Sequence, residues 1–155
     1  MTLNKVRVGD LLAGLGGLAL LGLMFAPWYQ FLEGVYVGTR VIAPNDTMQS
    51  AWESLTVLRF ALALTALLGI AQLVTTVYER TTAWPVASQV FLAAIGSITS
   101  VWTAIRIVNP PGPNFAADVR WPGYVGLLAT LAVTAGAWWS MREEVRPDAV
   151  VSSPG

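Results

Sequence analysis

Apolar residues fill four long stretches of this chain, and polar segments separate them. The stretches run from Leu11 to Ala26, Leu55 to Tyr78, Val86 to Val108 and Trp121 to Met141. Each is near the roughly 20 residues that a hydrocarbon core of about 30 Å requires at about 1.5 Å rise per residue. The pattern predicts an all-α membrane protein: a four-transmembrane-helix bundle with helices over about 9–27, 52–78, 85–108 and 121–141. These form one membrane domain over 1–141, and the acidic segment from Glu143 onward makes 142–155 a disordered cytoplasmic tail. The first stretch also competes with a cleaved signal peptide. Leu23-Met24-Phe25-Ala26-Pro27 argues against cleavage, which wants small side chains at spaced positions.

The separating segments add local expectations. Between the first two helices, Val35 to Ile42 is rich in β-branched residues, and Trp28 to Leu32 can pair with it across Glu33-Gly34 as a short β-hairpin. An irregular extended loop is the alternative, because an unsupported hairpin is marginal. Asp46 or Thr47 can cap the start of the second helix. Asn109-Pro110-Pro111-Gly112-Pro113-Asn114 must end the third helix, since prolines remove amide donors. Pro122 is tolerated in the first turn of the fourth. The short link from Glu79 to Trp84 makes helices two and three an antiparallel hairpin.

Orientation follows from the basic residues. Lys5, Arg7, Arg80, Arg142 and Arg146 fall on one side, against Arg40 and Arg120 in the opposite loops, which places both termini in the cytoplasm. Counting Arg59 and Arg106 with the outer side narrows that excess.

Small residues recur at helical spacing: Ala13 with Gly17, Gly22 with Ala26, Ala61-Thr65-Gly69, Gly96-Ser100-Ala104 and Gly126-Thr130-Thr134. Such rows let helix backbones approach in lipid, so a tight bundle is implied. Gly14-Leu15-Gly16-Gly17 fits this packing and lacks the preceding strand a phosphate-binding turn needs. Counted from the inner link, Gln72 and Gln89 lie at similar depth and can bond to each other. Arg59 and Arg106 likewise share a depth, at the outer rim, about 3 Å apart in height.

An arginine in a membrane helix is costly unless it snorkels, hydrates or finds an acid, and is otherwise a functional candidate. Glu53 and Asp118 are the acids within reach on that side. The aromatics also divide between two roles. Trp28, Tyr29, Trp52, Trp121 and Tyr124 at the outer boundary, with Tyr78, Trp84, Trp138 and Trp139 at the inner one, read as interfacial belts. The functional alternative is a ligand- or lipid-headgroup pocket lined by Trp28, Tyr29, Trp52, Glu53, Arg59, Trp102, Arg106, Asp118, Arg120 and Trp121, with Trp102 stacked on Arg106 one turn away.

Composition narrows the classes further. The chain is 55% hydrophobic and 12% charged, too apolar for a soluble domain of this length. Nine bases balance nine acids, leaving no basic field for nucleic acid. Cysteine and histidine are both absent, which removes disulfides, Cys/His zinc sites and thiol nucleophiles, and no cofactor is implied. No side-chain arrangement suggests a nucleophile or an acid/base pair, so the expectation is not an enzyme. A structural, accessory or partner-binding unit fits, with the lipid bilayer and a membrane-protein partner or a second copy as its neighbours. The alternatives are a small-ligand or lipid-headgroup binder with the outer pocket, or a subunit of an oligomeric transporter, because four helices hold too few buried polar residues to line a pore.

One series of short motifs adds a resemblance: Pro27-Trp28-Tyr29, Ala51-Trp52-Glu53, Arg106 followed by Asn109-Pro110-Pro111-Gly112, and Trp121 opening the last helix. Over nearly the whole chain it resembles uncharacterised small four-helix integral membrane proteins of actinobacterial type. The resemblance implies a multi-pass plasma-membrane location and no chemistry.

Overall fold

The computed structural model describes residues 7–31, 35–37, 40–43, 47–78, 84–111 and 117–144. Four long helices dominate: α1 (Val8–Leu23), α3 (Leu58–Val77), α4 (Trp84–Val108) and α5 (Trp121–Glu144), with a single helical turn, α2 (Ala51–Ser54), before α3. α1 packs against α3 and α5, and α4 closes the ring against the same two. Three of the helices are long and apolar enough to cross a membrane: Leu58–Val77, Ala87–Val108 and Trp121–Arg142. Within its described length α1 is a shorter apolar helix of 16 residues.

The packing inverts that of a soluble bundle. Leu15, Leu67, Phe91, Ile98 and Leu128 face outward, while Thr65, Thr99, Thr103, Thr130 and Ser140 are buried. Small residues make this possible. A Cβ at Gly17 would come within 2.6 Å of the Ala66 carbonyl, and one at Gly69 within 2.6 Å of the Ala13 carbonyl. The hydroxyls left inside find local acceptors: Thr65 Oγ1 donates to Ala61 O at 2.8 Å and Thr103 Oγ1 to Thr99 O at 2.7 Å. The rows read from the sequence therefore mark real seams, except at Gly22, which faces open space.

The helix limits differ from the sequence expectation where the chain enters a sheet. α1 stops at Leu23, not near residue 27. Residues 24–26 form a turn, with Met24 N–H bonded to Leu20 O, and Pro27 opens β1 (Pro27–Phe31). The expected helix over 52–78 is broken: Leu55 adopts an extended conformation between α2 and α3 and buries its side chain. Ser50 caps α2, not Asp46, which lies outside the described residues, nor Thr47, which belongs to β4 (Thr47–Ser50). α4 does end before Pro110-Pro111, and α5 does begin at Trp121-Pro122. α5 runs on to Glu144, so 142–144 are helical, and the rest of the expected tail lies outside the described residues.

The all-α expectation is corrected by a three-stranded antiparallel sheet, ordered β4-β1-β5, with β5 at Ala117–Val119. Its central strand takes Gln30 opposite both Met48 and Asp118. The hairpin expected between Trp28–Leu32 and Val35–Ile42 does not form. A separate hairpin joins β2 (Val35–Val37) to β3 (Arg40–Ala43). A central strand with two neighbours satisfies amides on both edges, which a lone hairpin cannot do. Between Pro27 and Tyr29 the pairing with β4 shifts register, and successive residues Trp28 and Tyr29 both turn to the core. A regular strand would alternate them, and a bulge permits the exception.

Candidate functional site

At the sheet end, Trp28 is fully buried and donates from Nε1 to Leu23 O at 2.7 Å. Its ring lies against Gly126, where any Cβ would collide with it, and its carbonyl accepts from Arg120 N–H at 2.7 Å. Tyr29 is equally buried, and its hydroxyl donates to Arg106 O at 3.3 Å. That carbonyl belongs to the last turn of α4, whose final carbonyls lack helical partners. Burial pushes the Tyr29 phenol up to about 12, against the opposing pull of the Arg106 charge. Trp28 and Tyr29 are thus core residues that fasten the sheet to the bundle.

Trp52 anchors the second part of this end. Its amide donates to Met24 O at 3.2 Å, and its ring meets Phe25 and Phe60, each with centroids 6.0 Å apart. The Arg59 guanidinium packs beside two of these rings, with Cζ 5.3 Å from the Trp52 centroid and 4.8 Å from that of Phe60. One terminal nitrogen of Arg59 donates to Trp52 O at 3.2 Å, while its Nε is buried without a hydrogen-bond partner. Because α3 begins only at Leu58, Arg59 stands at the mouth of its helix, closing a carbonyl left open by α2.

The acids expected to balance the arginines are used otherwise or not at all. Glu53 completes a capping box, accepting from the Ser50 amide at 2.9 Å and the Ser50 hydroxyl at 3.0 Å. The amide bond first, and then the hydroxyl bond, hold its carboxyl below the ordinary value. Asp118 is exposed on β5. Among the described residues neither acid pairs with Arg59 or Arg106, and Arg106 does not stack on Trp102, which packs on the core instead. Arg120 reaches Met48 Sδ at 3.1 Å, and Trp121 projects outward with 67% of its surface exposed. The ten expected site residues therefore separate into core fasteners, an Arg59 aromatic cluster and outward-facing groups.

The opposite end carries a polar centre that the sequence reading missed. Asp10, in the first turn of α1, is 2% exposed, and its Oδ1 accepts from Gln72 Nε2 at 2.6 Å and Ser140 Oγ at 2.5 Å. Gln72 therefore bonds to Asp10 and not to Gln89, and its own Oε1 accepts no hydrogen bond. An acid three residues after Arg7, at the head of an apolar run, was the available signal. Among the described residues no group of three or more His, Cys, Asp and Glu side chains is placed to hold a metal ion. No protein-family model and no curated protein matches the chain.

Proposed function

We propose that this is a four-span plasma-membrane protein, kin to the actinobacterial four-helix group, with both termini cytoplasmic and the sheet outside. It acts without catalytic chemistry as a structural or accessory unit that presents the sheet end to a membrane-protein partner. The observation that supports this best is the fastening of both loops at that end. β1 holds β4 and β5 together, while Trp28 and Tyr29 tie β1 to the helices. A rigid, helix-anchored surface costs little ordering entropy when a partner binds. Three helices of spanning length and the outward apolar faces support the membrane location.

A second reading rests on Arg59. Its guanidinium packs against two aromatic rings with no carboxylate partner among the described residues, a setting that suits the phosphate of a lipid headgroup. Native mass spectrometry of the full chain released from membranes separates the two. Retention of a second protein or second copy that is lost on substituting exposed sheet positions such as Asp118 supports the first. Retention of one phospholipid, lost in Arg59→Gln, supports the second and overturns the first.

A further inference from the structure

Asp10 is the one carboxylate among the described side chains that the fold encloses. Three helices converge on its Oδ1, through Gln72 of α3 and Ser140 of α5. Gln72 is 7% exposed and Ser140 fully buried, so water does not substitute freely for either contact. The first turn of a helix favours a carboxylate, and two donors add to that preference. These contacts account for the anion. They leave the Gln72 oxygen without a partner, and a buried acceptor lacking a donor is unfavourable.

Turning the amide over does not resolve this. Oε1 would then take the place of Nε2, 2.6 Å from Asp10 Oδ1, where two acceptors repel. A proton on Asp10 would engage the turned oxygen but strand Nε2 in its place. A cation beside the amide engages Oε1 while Nε2 keeps its bond to Asp10. The Ser140 hydroxyl still has lone pairs to offer while it donates.

We propose that Asp10, Gln72 and Ser140 bind a single dehydrated monovalent cation of sodium size between α1, α3 and α5, at the end of the bundle remote from the sheet. Charge and space set this choice. One carboxylate balances one positive charge, whereas a divalent ion would leave a net charge buried among neutral groups. A Cβ at Gly9 would already meet Gly136 O at 2.7 Å and Ser140 Oγ at 2.9 Å, so the two helices leave no room for an organic cation. Asp10 lies within one turn of the α1 terminus, giving the ion a short approach.

Deeper in the bundle the polar side chains meet one another. Ser100 Oγ and Thr134 Oγ1 are hydrogen-bonded at 3.3 Å, Thr65 Oγ1 and Thr99 Oγ1 lie 3.1 Å apart, and a Cβ at Gly96 would come 2.6 Å from Thr134 Oγ1. The ion is held where three helices meet. This inference is independent of what the sheet end binds.

The test is thermal unfolding of the full chain in detergent at fixed pH and ionic strength, with sodium chloride exchanged for choline chloride. Sodium should raise the midpoint saturably. Gln72→Leu and Ser140→Ala should weaken apparent sodium affinity at least about tenfold, and Asp10→Asn should abolish the response. Line broadening in sodium NMR, measured on the unsubstituted protein and competed by excess lithium but not by choline, reads binding directly even if a variant fails to fold. Equal midpoints in sodium and choline with no sodium broadening would overturn the proposal. So would a sodium response that survives Gln72→Leu and Asp10→Asn, or one that follows pH alone.

Discussion

Tyr29 couples its own ionisation to folding, because the phenol is enclosed and its hydroxyl is spent on the end of α4. Its folded value of about 12 exceeds the ordinary 10.0. Below about pH 10 both states are neutral and the contribution is complete; between about 10 and 12 the unfolded chain ionises first and stability falls. Denaturant unfolding in detergent across that range should show a loss of roughly 2 kcal/mol that Tyr29→Phe removes. Glu53 behaves in the opposite sense. Its folded value is lowered, so the capping box stabilises above the unfolded carboxylate range and is lost as pH falls through the folded value. Ser50→Ala should flatten that acid limb, as read by circular dichroism. Little of this was legible beforehand. Trp28 and Tyr29 have the composition of a membrane belt, and only the bulge turns both inward.

The helices were legible because lipid demands long apolar runs, and the seams because close approach demands small residues. The end of α4 and the start of α5 are read from local chemistry alone. The ends of α1 and α2 are not, since they are set by a sheet whose strands come from three separate segments. The Asp10 centre escaped for the same reason: its partners lie 62 and 130 positions away along the chain. The crossing of α1 and α5 gives a direct test at this scale. A Cβ at Gly136 would come 2.5 Å from Gly9 O and 2.6 Å from Ala13 N, and neither backbone atom can move aside alone. Gly136→Ala should destabilise the fold by about 1 to 3 kcal/mol in detergent unfolding. Gly22→Ala, facing open space, should be within about 0.5 kcal/mol of the parent or slightly stabilising.

For the molecule as a whole, topology is the feature on which the proposed function depends most. Single cysteines at Asp118 and Ser153 test it without disturbing the Ser50 cap. A membrane-impermeant thiol reagent applied to intact cells should label Asp118→Cys and leave Ser153→Cys unmodified until the membrane is opened. The reverse pattern would invert the orientation, and labelling of both would remove one span. Sequence alone distinguishes these outcomes weakly, since the basic residues differ by few between the two sides and Arg59 and Arg106 lie at the boundary.

The sheet also imposes an order on biosynthesis. β1 is made early, yet Tyr29 pairs with Val119, about 90 residues later. At about 5 to 20 residues per second, the ribosome needs roughly 5 to 20 s to supply that partner. Until then β1 has one open edge, and in the proposed topology it closes only after α3 and α4 have crossed and returned β5 to the same side. In that topology, closure of the sheet is a record that insertion was completed correctly. A chain stalled or inverted at any earlier helix would keep an unpaired strand, with Trp28 and Tyr29 uncovered, for quality-control machinery to find.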